Sequence, residues 1–307
     1  MRVSIVTPSF NQAEFIEQTI QSVLSQDYPN IEYIIVDGGS TDGSLEIIEK
    51  YANRLAWWVS EPDRGQAEAI NKGMAHATGD VVAWLNSDDL YARGAVSQAV
   101  AALQANPAAG MVYGDAVSID RKGRPFNEQK FADWGLEGLA AFNIICQPAV
   151  FVRRDAWQRA GGLDESYHLL LDHHLWLRIA SQTKTLHVPR VWAFARHHPA
   201  AKNVALAEKF GEEAYRIVEW MSTYPGTRAV VACHSRQVWA AAHRFNARYL
   251  LDGGQSWAAL RGYLQSLFIH PPTALREWHR ILFAGLSVIG LGGLGRVYYR
   301  VKRRRFV

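Results

Sequence analysis

The sequence predicts an α/β protein: a mostly parallel sheet flanked by helices over residues 1–204, followed by a helical C-terminal region over residues 205–307. Three observations carry this. Short β-branched or apolar runs (Val3 to Val6, Ile31 to Val36, Val81 to Leu85) alternate with segments of helical period. The connections between them are short, as in right-handed βαβ units. From about Ala205 the extended runs give way to helical patterning. The 307 residues suffice for one large α/β domain with an appendage, and 49% hydrophobic with 20% charged residues indicates a globular chain.

Val3 to Val6 opens the chain as a strand, and Thr7-Pro8-Ser9-Phe10-Asn11 is expected to end it, because proline cannot serve a central ladder. Asn11 and Glu14 have the spacing of a capping box before a helix that places Phe15, Ile16, Ile20, Val23 and Leu24 on one face. The strand Ile31 to Val36 runs into the glycine-rich turn Asp37 to Gly43 and a helix from Ser44 to Ala52. A third strand, Ala56 to Ser60, leads through Glu61-Pro62-Asp63-Arg64-Gly65-Gln66 to a helix from Ala67 to Ala77. After Val81 to Leu85 come a helix from Gly94 to Gln104, a strand from Gly110 to Ile119 and a hairpin-like loop at Arg121 to Pro125. Cys146 to Val152 reads as a strand, Asp172 to Ser181 as a helix with Leu175, Trp176 and Ile179 buried, and Leu186 to Phe194 as an extended segment broken by Pro189.

The chemistry concentrates at Asn86-Ser87-Asp88-Asp89, where the fourth strand stops. In an open α/β sheet the carboxyl ends of the strands form the ligand crevice. Adjacent carboxylates there repel unless a cation, a hydroxyl donor or solvent stabilises both. Mg²⁺ and Mn²⁺ prefer such oxygens. The alternative is a solvated loop in which Asn86 or Ser87 caps the next helix.

Five segments in order resemble inverting glycosyltransferases of family 2, of the bacterial cell-surface glycan type, with the GT-A fold (a Rossmann-like, mostly parallel sheet flanked by helices). They are Thr7 to Asn11; Val36 to Gly43; Glu61 to Gln66 with Ala69-Ile70-Asn71-Lys72-Gly73; Leu85 to Asp89; and Gly161 to Glu165 with Leu171 to Arg178. The resemblance implies transfer of a sugar from a nucleotide-sugar donor to a hydroxyl of a glycan or lipid-linked acceptor, with Mg²⁺ or Mn²⁺ as cofactor. It implies that Thr7, Pro8 and Ser9 border the nucleotide and that Asp37 meets the base or ribose; a turn-capping Asp37 is the alternative. Asp42 reads as a capping residue. Gln66, Asn71, Lys72 and Asn86 fall on the donor side, although a lysine on a helix is more often solvent-facing. Asp89 becomes the metal ligand, and Asp88 a second ligand or a contact to sugar hydroxyls.

Asp172 aligns with the catalytic base, and a helix start favours its ionised form. The common family pattern has a glutamate before this aspartate; here Leu171 precedes and His173-His174 follow. Either histidine tuning or replacing the base stands beside ordinary helix packing or exposure. Gln147-Pro148 matches an acceptor or donor-sugar wall, and His197-His198-Pro199 with Lys202 a segment in which His198 completes the metal site or meets phosphate. Two competing readings are a nucleotide-sugar-binding scaffold without catalysis, which the Leu171 departure motivates, and a sugar nucleotidyltransferase. The latter wants a basic glycine-rich loop after the first strand, where this chain has Thr7 to Asn11.

The net charge of +4 is mild and no nucleic-acid partner is expected, yet the last dozen residues are strongly basic. Ile281 to Leu294 is too short for a typical span. With Tyr298, Tyr299 and the basic tail it reads as an interfacial helix on an acidic membrane surface, or as a packed terminal helix with a solvated tail. Cys146 and Cys233 lie far apart, as suits a reducing compartment. The first residues lack a signal-peptide core, so the expected location is cytoplasmic, peripheral on the inner membrane. Eleven tryptophans fit packing or ligand stacking equally.

Overall fold

The computed structural model describes residues 1–198 and 206–291. It divides into two compact units, Met1–Gly135 with Ile145–Arg196, and Leu136–Ile144 with the chain from His197 onward.

The first unit is built on one sheet. Strands β1 (Val3–Ser9), β2 (Ile31–Asp37), β3 (Trp57–Ser60) and β4 (Val81–Trp84) pair in parallel in the order β3-β2-β1-β4. Helices α1 (Ile16–Leu24), α2 (Ser44–Lys50) and α3 (Gln66–His76) make the crossovers. Beyond β4 the sheet continues through β8 (Val150–Arg153), β6 (Ala109–Asp120), β9 (Lys184–His197) and the short β5 (Leu90–Tyr91). β8 pairs antiparallel with both β4 and β6, and β5 antiparallel with β9. The βαβ alternation of the sequence thus accounts for the parallel half. β7 (Pro125–Gln129) hangs on β6 as a hairpin. Later in the chain come the helices α4 (Ala95–Ala105), α5 (Gly135–Ala140, all but its first residue in the second unit), α6 (Arg154–Ala160) and α7 (Leu171–Ala180).

The central strands are buried on both faces, which is why they read as unbroken apolar runs. α3 lies close on this sheet because Gly73 has no side chain: a Cβ there would sit 2.5 Å from Val6 Cγ1. Glu32 on β2 is a buried acid held by the Ser4 hydroxyl, the Thr78 N–H (2.7 Å) and the Thr78 hydroxyl (2.9 Å). Burial pushes its carboxyl up, but these donors and Arg2 outweigh it and leave it below the ordinary range.

Four local expectations change. β1 does not stop at Thr7; it runs through Pro8 to Ser9. Pairing with β4 ends at Val6–Trp84 while pairing with β2 continues to Ser9–Asp37, so Pro8 stands where one flank is open and a missing N–H is tolerated. The Asn11–Glu14 capping box does not form: α1 has no side-chain cap, Asn11 Oδ1 accepts the Thr41 N–H at 2.9 Å, and Glu14 pairs with Arg121. The segment from Cys146 begins with a 3₁₀ turn at Gln147–Ala149 before β8. β9 is continuous through Pro189.

In the second unit the helices Phe210–Thr223, Arg228–Asp252, Ser256–Ile269, Pro271–Leu275 and Trp278–Val288 follow one another. Ala247, Leu251, Ala259, Tyr263 and Ala284 form a small core there. Glu277 is buried against Arg248 and accepts the Tyr263 hydroxyl at 2.9 Å. Among the described residues no helix is long and apolar enough to cross a membrane. Pro199, Lys202, Tyr298, Tyr299 and the basic tail lie outside them.

Candidate active site

The parallel strands end in a row of polar turns, and two of these turns carry buried acids. Asp37, at the end of β2, is fully buried. Its Oδ2 accepts from the N–H groups of Gly39 (3.1 Å) and Ser40 (2.8 Å) and from the Ser60 hydroxyl (2.7 Å), and its Oδ1 from the Ser40 hydroxyl (2.6 Å). Asp42 has a similar local role, bonding Ser44 and the Ala13 N–H. At Gly38 a Cβ would meet Asp63 Oδ2 at 2.7 Å, so a side chain there would displace the Asp63 carboxylate. Beside them Phe10 is 60% exposed, an aromatic face at the sheet edge that the sequence reading did not single out. Thr7 is buried with its hydroxyl 3.0 Å from Tyr33, and Pro8 and Ser9 are buried at the end of β1.

Asp89 lies in the turn after β4, also buried. Its Oδ1 accepts the Arg196 N–H at 2.9 Å, and its Oδ2 has a long contact of 3.3 Å from the Asn86 amide. Burial, then the neighbouring Asp88 carboxylate, pushes the Asp89 carboxyl well above the ordinary range, against the pull of Arg196 and Asn86. The turn is held from below. The Thr19 hydroxyl lies 2.9 and 2.8 Å from the carbonyls of Ser87 and Asp89, sharing its one proton between them.

Arg196 is the residue that sequence reasoning missed. It is 3% exposed on β9 and grips the acid turn twice: its N–H holds the Asp89 carboxylate, and its Nε donates to the Asp88 carbonyl at 2.8 Å. The same guanidinium donates to the Arg121 carbonyl (3.1 Å) and Gln18 Oε1 (2.9 Å), and lies 4.9 Å from the Phe15 ring. Only long-range strand pairing brings it there, so no local motif advertises it.

A chain of amides lines the same edge. Gln66, the first residue of α3, donates to Asn86 Oδ1 at 2.7 Å; Asn86 Nδ2 lies 3.2 Å from Gln147 Oε1; Gln147 Nε2 donates to the Trp84 carbonyl at 2.7 Å. Gln66, Asn86 and Gln147 are therefore gathered around Asp89. Asn71 and Lys72 are engaged elsewhere. Asn71 bonds both the N–H and the carbonyl of Leu163 at 2.9 Å, and Lys72 pairs with Glu61 at 2.8 Å. Asn71 thereby fixes the Gly161-Gly162-Leu163 turn, where Gly162 has φ +69°.

That turn leads to α7, with Asp172 half-buried in its first turn and its Oδ1 accepting the His173 N–H at 2.7 Å. Trp176 on α7 stacks on Trp84 at the end of β4 with ring centroids 5.2 Å apart. Arg178 ties the other end of the helix to the Gly162 carbonyl at 2.7 Å. His173 and His174 are buried on α7, and the His174 ring packs 4.3 Å from Tyr167. Asp89 and Asp172 share one neighbour: both carboxylates, after burial itself, push the Cys146 thiol up. His198 follows β9 and is buried.

The residues fit a hard divalent cation held by few protein ligands. Asp89 is an under-satisfied carboxylate next to a second one, and cation binding would offset the cost of ionising it. No three His, Cys, Asp or Glu side chains form a ready cage among the described residues, so phosphate or water would supply the remaining oxygens.

Solved structures share this architecture. S. aureus TarS 1–349 in complex with UDP-GlcNAc aligns over 94% of this chain and 92% of that one, with TM-score 0.65 and 16% identity. The mannosyltransferase PcManGT from Pyrobaculum calidifontis, in complex with GDP-Man and Mn²⁺, aligns over 95% and 86%, with TM-score 0.59 and 22% identity. At such identities the likeness carries the fold alone, which is that of the GT-A glycosyltransferases. The chain belongs to glycosyl transferase family 2, whose family model matches residues 4–157. An uncharacterised glycosyltransferase of Mycobacterium tuberculosis is 34% identical over 186 residues, 58% of this chain and 68% of the relative. The PGL/p-HBAD biosynthesis glycosyltransferase of Mycobacterium bovis is 29% identical over 193 residues, 60% of this chain and 73% of that one.

Proposed function

We propose that this glycosyltransferase works with inversion, moving a sugar from a nucleotide-sugar to a hydroxyl of a cell-surface glycan or lipid-linked acceptor. One observation supports the reading: Asp89 in the turn after β4 and Asp172 in the first turn of α7 are both near enough to Cys146 to push its thiol up, as one common site requires. The names of the relatives, which include an O-antigen biosynthesis protein of Myxococcus xanthus, support the acceptor class.

Asp172 is the base. Its carboxylate takes the proton of the acceptor hydroxyl as that oxygen forms a bond to the anomeric carbon, while the bond from that carbon to the diphosphate oxygen breaks. Asp89, with Asp88, would hold Mg²⁺ or Mn²⁺. The bound cation supplies charge neutralisation for the departing diphosphate. Gln66 and Asn86 border the donor sugar. Thr7, Pro8, Ser9 and Asp37 shape the nucleotide end, where the Phe10 face suits a stacked base. Asn71 acts through the Leu163 turn that carries α7, and Lys72 would reach the donor only on leaving its pair with Glu61. Residues 1–204 form the catalytic part, working from the cytoplasmic side at an acidic membrane surface.

Hydrolysis of a panel of nucleotide-sugars with Mg²⁺ or Mn²⁺ tests the reading. Turnover of one donor in wild type, and its loss in Asp172→Asn with donor binding retained, is expected. Full transfer by Asp172→Asn would remove Asp172 as the base.

A further inference from the structure

The helix Ser256–Ile269 is packed inside out. Its buried positions are Ala259, Gly262, Tyr263 and Ser266, mostly small or polar. Its bulkiest apolar side chains face away from the core: Trp257 is 72% and Phe268 88% exposed, with Leu264 also exposed. Residues 257, 261, 264 and 268 follow helical spacing and form one stripe, with Arg261 in its middle. Trp257, Arg261, Leu264 and Phe268 line a groove of about 980 Å³ together with His243 of the preceding helix. The Trp278–Val288 helix repeats the inversion, burying Ala284 and exposing Trp278 and Leu282.

We infer that the Trp257–Arg261–Leu264–Phe268 face docks on an anionic lipid bilayer. Charge selects this occupant. Residues 256–291 contain three arginines, of which Arg280 pairs with Asp252, and residues 292–307 six lysines and arginines, against the single acid Glu277 within these stretches. That acid is buried on Arg248 and Tyr263, so it shows no negative charge on the surface. A tryptophan, a phenylalanine and a leucine flanking an arginine suit the boundary between acyl chains and acidic headgroups. A second copy of the chain fits less well, since a two-fold contact presents the same cationic stripe to itself. The surface lies on the helical unit and does not depend on the identity of the donor or the catalytic base.

Flotation of the full chain with phosphatidylcholine vesicles, with or without phosphatidylglycerol, tests this. Wild type floats with the anionic vesicles, and Leu264→Ser/Phe268→Ser lowers the bound fraction at least about tenfold, from the lost burial of two large side chains. Brominated acyl chains quench wild-type fluorescence, and Trp257→Phe lowers the quenched fraction without loss of packing. Circular dichroism and donor binding match wild type in both variants. Three outcomes overturn the inference: unchanged flotation of the double variant, equal flotation of wild type on neutral and anionic vesicles, or unchanged quenching in Trp257→Phe. A wild-type dimer that becomes monomeric in the double variant, with flotation unaltered, assigns the face to chain–chain contact and overturns it as well.

Discussion

Two turns at the same sheet edge bury an aspartate each, and they use it differently. The turn after β2 surrounds Asp37 with its own donors, from Gly39, Ser40 and Ser60. The turn after β4 gives Asp89 one good backbone donor and one long amide contact, and sets Asp88 beside it. A saturated carboxylate fixes a wall. An under-satisfied one keeps coordination capacity in reserve, at a cost in stability that a cation would offset.

The sharpest way to break this contrast is to remove the acids to which the proposed function assigns chemistry. Asp172→Asn is expected to lower transfer by about 10²–10⁴-fold, the usual weight of a general base, with donor binding measured by calorimetry intact. Asp89→Ala is expected to abolish Mn²⁺-supported donor binding in the same assay. Asp37→Asn acts on the other side of the comparison. It replaces acceptor oxygen with an amide that cannot accept from the turn, and should cost about 1–3 kcal/mol of stability by denaturant unfolding. Donor binding by Asp37→Asn as poor as by Asp89→Ala would erase the distinction. Arg196→Ala belongs between them. The substitution keeps the N–H that Asp89 accepts but removes the guanidinium that donates to the Asp88 carbonyl, and should cost about 1–3 kcal/mol by denaturant unfolding and weaken metal-supported binding together.

The smallest effect concerns pH. The Glu32 carboxyl is held low in the fold, so it contributes stability above its unfolded value of about 4.3 and loses it as pH falls through the folded value. Glu32→Gln should flatten the acid limb of the stability curve below about pH 5, and an unchanged limb would show that Glu32 is not the group responsible.

What the sequence disclosed divides along the same line. Asp37, Asp89 and Asp172 were legible because each stands where a strand ends or a helix begins, and local periodicity finds such places. Gln66, Asn86 and Gln147 could be named, but not their mutual bonding, which arises when α3, β4 and the turn before β8 converge. Arg196 was invisible: 107 residues separate it from its Asp89 partner. Asn71 was legible as a motif residue, while its side chain turned out to hold Leu163. Pro8 misled because proline breaks a strand only where its missing N–H has a neighbour to disappoint, and β9 likewise runs on through Pro189.

The two cysteines have a practical consequence. Burial, then Asp89 and Asp172, pushes the Cys146 thiol up, whereas Cys233 is exposed on the Arg228–Asp252 helix. Alkylating reagents attack thiolates, so at neutral pH a maleimide should couple at Cys233 and spare Cys146. The unaltered chain thereby carries a single labelling position for spectroscopy: a dye at Cys233 reports on the helical unit while the chemistry around Cys146 is left untouched.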